Sequence, residues 1–290
     1  GSYGGLGRDS QGTTNWTYGD YRNPNEPGSG NGPGAANYGG IGGGLVRIVA
    51  GAAVVDGSIL ANSTGGGGWD RSGGSGGGIL LDVGTLSGSG LIAANGGDSY
   101  PNGGSGGGGR VAVYYATMDG FDLTHNVRAH GGSGGAGAGA AGTVYLEQNG
   151  GEGVLRIDSH GTTTGVWTPL GMSTDATFLV DHLVISGTNV IAAPEHEMPI
   201  EANNVSIFGG ANLTHRATTA SQEYSLRMTV AGTLTIATTG KIDVTDRGYL
   251  RGYTLGNTTI GGATGMSGGS YSGLGRDSQG TTNWTYGDYR

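Results

Sequence analysis

Four short apolar runs recur in the first half of the chain, each directly after a triplet of small residues: LVRIV at 45–49, ILLDV at 79–83, RVAVY at 110–114 and TVYLE at 143–147. The triplets end at Gly44, Gly78, Gly109 and Gly142, so the runs are spaced by 34, 31 and 33 residues. Aliphatic side chains at alternate positions mark strands that bury one face. Val46, Leu80, Val111 and Val144 hold the second position of each run, and Ile48, Asp82, Val113 and Leu146 the fourth. Asp82 interrupts an otherwise aliphatic column. It predicts a one-residue slip of that run, since such a slip turns a strand's apolar set to its other face.

A second strand signal follows three of these runs: Ile59 with Ala61 and Asn62, Ile92 with Ala94 and Asn95, Val127 with Ala129 and His130. The same residue classes returning at a fixed interval predict an all-β fold, a parallel β-helix (β-solenoid) whose coils stack like side chains on like. Ala in the second stacked position predicts a narrow interior.

Glycine tracts at 65–78, 96–109 and 131–142 separate the coils. Glycine is needed where φ is positive or where chains approach too closely for a Cβ. Two readings stand at this point. The tracts are flexible surface loops, or they are ordered and extended, packed side by side in a polyglycine-II-like form with weak Cα–H to carbonyl bonds. Residues 166–250 differ, with 7 Gly in 85 residues, and runs at 178–180, 183–185, 204–208, 228–230, 232–236 and 240–244 read as further strands. Helix signals are nearly absent.

Composition first complicates this picture and then supports it. The chain has 68 Gly and 7 Pro in 290 residues, and Gly plus Pro near a quarter of a chain without a Gly-X-Y period normally marks disorder. A net charge of -8 and only 12% charged residues are too little to keep a coil solvated. Of the 68 Gly, 46 lie in residues 1–150, bunched between the strand runs, a rhythm that disorder has no reason to keep. Lys241 is the one lysine and no basic run exists, which argues against nucleic acid as a partner. The longest apolar stretch, 45–55, is short and carries Arg47, so no membrane span is expected. The absence of Cys excludes disulfide frameworks and thiolate metal sites.

Residues 1–22 and 269–290 are identical at 21 of 22 positions, with Gly4 against Ser272 the sole difference. The chain therefore reads as one 268-residue period plus the start of the next, or as a subunit whose two ends do the same job. It divides into a junction segment and linker (1–37), Gly-rich solenoid rungs (38–165), Gly-poor rungs (166–268) and the copy (269–290). Aromatic residues dominate interface energetics. The copied segment concentrates them, so Trp16, Tyr18, Tyr21, Trp284, Tyr286 and Tyr289 are the expected junction residues. The alternative is a local core under a long loop.

The GGSGGG-plus-strand units, the turn-strands of residues 57–62 and 90–95, and the 240–244 segment followed by Arg247-Gly248-Tyr249 resemble the glycine-rich repeats of very large secreted bacterial surface proteins. These are adhesin-like chains of parallel β-helix type. The resemblance implies a secreted or cell-surface, fibrous, non-catalytic protein, and it transfers no functional residues.

Candidate chemistry is sparse. His196 lies between Glu195 and Glu197, but neighbours on an extended chain point to opposite sides. His182 beside Asp181 and His215 beside Arg216 are lone, without metal-site spacing. Asp82, Asp243 and Asp246 are the carboxylates to weigh for polysaccharide chemistry, which needs a close pair. Asp70 and Asp98 sit in glycine tracts without the calcium-binding nonapeptide spacing. The expectation is therefore no enzyme, no cofactor and no metal. The chain reads as a structural unit of an extracellular fibre that partners itself head to tail through stacked strands. An adhesin module binding cell-surface or matrix glycans is the alternative, and a polysaccharide-acting β-helix enzyme comes third.

Overall fold

The structure, a computed structural model, describes residues 1–10, 12–32, 39–66 and 72–288. In chain order its elements are β1 (Leu45–Val54), β2 (Ser58–Leu60), β3 (Gly78–Ser87), β4 (Leu91–Ala93), β5 (Arg110–Asp119), α1 (Leu123–Asn126), β6 (Val127–Arg128), β7 (Thr143–Gln148) and β8 (Gly153–Asp158). There follow β9 (Trp167–Leu170), β10 (Phe178–Ser186), β11 (Ile191–Pro194), β12 (Ile200–Phe208), β13 (Asn212–Leu213), β14 (Met228–Val230), β15 (Leu234–Ile236) and β16 (Lys241–Ile242). Among the described residues α1 is the sole helix, a single turn capped by the Asp122 carboxylate, which accepts from the amides of Thr124 and His125.

The chain forms two compact units, Gly1–Thr214 with Arg227–Asp243, and His215–Leu226 with Val244–Arg290. The first is the β-solenoid. Its long strands build a nine-stranded sheet in the order β1-β3-β5-β7-β8-β10-β12-β14, with β15 also on β12. Short strands close the coils in two further sheets, β2-β4-β6 and β16-β13-β11-β9.

The expected columns are present. Val46, Ile79, Val111 and Val144 stack in register, as do Ile48, Leu81, Val113 and Leu146. The second run has slipped by one residue, so that Ile79 and Leu81 fill the columns and Asp82 points outward. Ile59, Ile92 and Val127 stack on the facing side, and Ala61, Ala94 and Ala129 join the core. The Asn at the end of each short strand has its own role: the Asn62 side chain accepts from the Asn95 amide at 2.7 Å, and Asn95 from the His130 amide at 3.1 Å. In the second half Phe178, Val180, Leu183 and Ile185 pair with Ile200, Ala202, Val205 and Ile207.

One ladder departs from the parallel scheme. β7 and β8 pair antiparallel, Val144 opposite Arg156 and Leu146 opposite Val154. Asn149 (φ 50°) and Gly150 (φ 68°) make the turn, and Asn-Gly is the dipeptide that most readily takes positive φ at both central positions of a hairpin. The large sheet is thus two parallel blocks running in opposite senses.

Where they are described, the glycine tracts are hydrogen-bonded to one another, and residues 73–78, 103–109 and 139–142 are buried. Gly43, Gly76 and Gly108 donate to Ser75, Gly107 and Ala140 of the next tract at 2.9, 3.0 and 2.9 Å. Gly77 and Gly109 donate to the carbonyls of Ala61 and Ala94, the residues that follow β2 and β4, both at 2.8 Å. A Cβ on Gly76, Gly106, Gly108 or Gly142 would fall well under 3.0 Å from a backbone carbonyl oxygen. These tracts form a third hydrogen-bonded layer with no room for a Cβ at those glycines.

The slip yields a direct test. Leu81→Ala removes a fully buried column residue and should cost about 2–5 kcal/mol, whereas its neighbour Asp82→Ala should stay within about 0.5 kcal/mol of the parent; urea unfolding of both reads the contrast.

Candidate functional site

Both copies of the terminal segment fold into the same small motif, each within its own unit. In the first copy the Asn15 side chain staples the loop, accepting from the Ser2 amide at 2.9 Å and donating to the carbonyls of Ser2 and Trp16, both at 2.8 Å. The Ser2 hydroxyl accepts from the Gly7 amide, and Asp9 from the Thr14 amide. Asn283, Ser270 and Asp277 repeat every one of these bonds in the second copy. The ring pair recurs as well, Tyr3 with Tyr18 at 4.8 Å and Tyr271 with Tyr286 at 5.2 Å. Gly19 (φ 74°) and Gly287 (φ 92°) make the same turn.

What differs is what covers the motif. The first copy lies on the glycine layer: Gly4 and Gly5 donate to the Gly108 carbonyl at 3.1 and 2.9 Å, Arg8 to Ser105 at 2.8 Å, and Ala140 donates back to Leu6 at 2.8 Å. Tyr3 is 0% and Leu6 9% exposed, against 59% for Tyr271 and 71% for Leu274. Arg110, buried at the head of β5, donates to the Tyr18 carbonyl at 2.9 Å and to Thr143 Oγ1 at 3.3 Å. Its guanidinium lies 5.4 Å from the centre of the Tyr3 ring, and burial lowers its pKa from the ordinary arginine value.

Residues 20–26 then cross the outer face of the large sheet. The Tyr21 ring packs 5.5 Å from Tyr145 on β7 and 5.9 Å from Phe178 on β10, and its hydroxyl donates to the Leu179 carbonyl at 3.1 Å. Arg22 lies over the Tyr21 ring at 4.8 Å and donates to the same carbonyl at 2.8 Å. Arg47 and Tyr114 hold the strap by bonds to Asn23, Pro24 and Arg22. Tyr21 therefore bridges the two blocks of opposite strand sense.

Of the expected junction residues, Tyr21 is buried and Tyr18 half-buried, donating to the Pro27 carbonyl at 2.7 Å. Both serve the local core of their own chain. Trp16 and Trp284 stay exposed, at 62% and 87%, and Tyr286 is half-buried. Tyr289 lies outside the described residues, as do Trp69 and Asp70. Sequence reasoning missed Arg110 and Tyr145. The signal for Arg110 was a charged residue opening an otherwise apolar run directly after a glycine tract.

The second unit contains a cleft of about 890 Å³ beside the second copy, lined by Glu223, Tyr249, Arg251, Tyr271, Asn283 and Tyr286 among others. Tyr249 donates to Glu223 at 3.0 Å and stands 6.2 Å from the Tyr286 ring.

The remaining candidates are dispersed. Asp82 faces Val49 and Tyr114 in its ladder. Asp243 pairs with Lys241 at 3.1 Å, and Asp246 occupies a turn at φ 58°. His182 contacts Glu152 at 2.8 Å and Asn204 at 3.1 Å, and His215 bonds the Arg216 carbonyl at 2.7 Å. Glu197, next to the half-buried His196, pairs with Arg227 at 3.1 Å. Asp98 accepts from Ser133 of the next tract. Among the described residues no cluster of three or more His, Cys, Asp and Glu is arranged to hold a metal ion, and no helix is long and apolar enough to cross a membrane. No family model, curated protein or solved structure matches the chain.

Burial is the first cause that raises the phenol pKa of Tyr3, Tyr21 and Tyr145 above the ordinary value; Tyr114 is pushed up to about 12 by burial and then by the Glu147 carboxylate. These groups favour the fold while neutral. Their contribution is complete below the unfolded value near 10 and is lost as pH rises from there towards the folded values. Thermal melts at increasing alkalinity should fall from about pH 10 upward, and Tyr21→Phe should flatten that fall. Tyr21→Ala should cost about 3–5 kcal/mol, with the two blocks of the sheet losing hydrogen-exchange protection together.

Proposed function

We propose that the chain is a structural repeat unit of an extracellular fibre, joined head to tail by strand stacking. The observation that carries this is the exposed apolar side chains on the end strands of the solenoid among the described residues. At one end β1 and β2 have no further partner strand among the described residues. Val49 and Val54 are 80% and 72% exposed there, and Val46, Ile48 and Ile59 are only partly covered. At the other end Leu234 and Ile236 of β15 remain exposed. Terminal coils of solenoids that stay single carry polar outer faces, and open edges rich in apolar residues recruit further strands. Trp16, Trp284 and the uncovered face of the second copy add apolar surface for such contacts.

Electron microscopy at rising protein concentration should show filaments with a regular axial repeat, and fibre diffraction a reflection near 4.7–4.8 Å along the axis. Val49→Lys with Val54→Lys should raise the concentration needed for growth about tenfold or more without altering the monomer's circular dichroism. Dispersed monomers at every concentration would sink this reading.

The cleft of the second unit favours a second reading, an adhesin module that binds glycans. Tyrosine rings beside Arg, Glu and Asn side chains supply the apolar faces and hydrogen bonds that sugars need. Selective binding on a glycan array, lost in Tyr249→Ala, would support it.

A further inference from the structure

The two copies of the terminal segment share one motif and differ at one residue, and that residue stands against the glycine layer where a Cβ has no room. Gly4 is buried with its amide on the Gly108 carbonyl. A Cβ at this position would lie well under 3.0 Å from the Gly109 carbonyl oxygen and 3.1 Å from Arg110 Cγ. Neither obstacle can step aside easily. The Gly109 amide is tied to the Ala94 carbonyl at 2.8 Å, and Arg110 is buried and held by Tyr18 and Thr143.

Position 5 obeys the same constraint, since a Cβ on Gly5 would strike the Ala141 carbonyl, and it is Gly in both copies, as Gly5 and Gly273. Position 4 alone changes. Its counterpart Ser272 is exposed, as are Tyr271, Gly273 and Leu274 around it. In every other respect the second copy has what the seat requires: the Asn staple, the ring pair, the leucine and the arginine that follows.

We propose that position 4 of the motif is a specificity determinant for docking on the glycine layer: the Gly form seats on the 104–109 and 139–141 tracts, and the Ser form is held off. The seat of each unit is thereby reserved for its own first copy. The second copy of one chain does not displace the first copy of another, although the two are otherwise the same sequence. Units then join through their open strand edges and not by swapping identical segments, the usual hazard when a chain carries the same element twice. This deepens the fibre reading and takes its purpose from it, but the contact concerned is measurable on dispersed chains whether or not filaments form.

The test uses the full chain and amide hydrogen exchange. The amides of Gly107 and Ala140 donate to the carbonyls of Gly1 and Leu6 and report directly on the seated copy. Gly4→Ser should accelerate their exchange by about 10- to 100-fold, while Leu183 and Ile185 in the distant core stay protected. Gly12→Ser, where a Cβ meets nothing within 4 Å, should leave every one of these amides unchanged. In the exchanged chain, Gly4→Ser with Ser272→Gly, the Gly form now sits in the second copy. Protection of Gly107 and Ala140 should return as concentration rises, together with dimers in sedimentation.

Unchanged protection in Gly4→Ser would overturn the proposal. So would loss of protection throughout the core, or recovery and dimerisation in Gly4→Ser with Ser272 left in place. Failure of the exchanged chain to recover would show that position 4 does not decide docking.

Discussion

Backbone packed directly against backbone is the constraint on which this protein depends. Between the tracts, a carbonyl of one tract occupies the place where the next would carry its Cβ, and the tracts bond to each other and to the residues that follow the short strands. A layer built this way contributes little apolar burial. Its stability rests on the hydrogen bonds between its backbone amides and carbonyls, since an unpaired buried one costs about 1–3 kcal/mol. Where one tract lies against the next, the layer therefore tolerates no added Cβ, which explains why glycine recurs at the contact positions.

The aliphatic columns supply the complementary half of the energetics. Ile79, Leu81, Val111 and Val113 are buried completely, and stacking like on like lets each coil cover the next. The layer and the columns meet at Ala61, Ala94 and Ala129, which are small enough to let a glycine tract approach and apolar enough to close the core. The N-terminal segment unites them from outside, with Tyr3 and Leu6 on the glycine layer and Tyr21 across the sheet. One segment so fastens a scaffold whose parts are held by different forces.

Periodicity made the solenoid legible. The two columns, the slip at Asp82 and the paired strands follow from residue classes recurring at a fixed interval, because each coil must present the same class at the same place. The order of the tracts was open in the sequence, since glycine serves a loose loop and a close-packed span equally well. Only the partner across the contact, such as the Gly109 carbonyl facing Gly4, distinguishes them. The reversal at Asn149-Gly150 had a sharp local signal in that dipeptide. The buried role of Tyr21 did not, because an aromatic beside an exposed Trp reads the same whether it meets its own chain or another. The second unit carried least signal of all: bonds such as these join Thr, Ser and Asn side chains to one another or to the backbone, which leave no periodic trace.

The hairpin between β7 and β8 also sets the relative direction of the sheet's two outer edges. Every ladder from β1 to β7 is parallel, and so is every ladder from β8 to β15. The two outermost strands of the large sheet consequently run in opposite directions. Units stacked in one orientation must meet across an antiparallel step, the same pairing that the hairpin makes internally. In a filament of the kind proposed, the strand sense would alternate twice per unit, once at the hairpin and once at the joint.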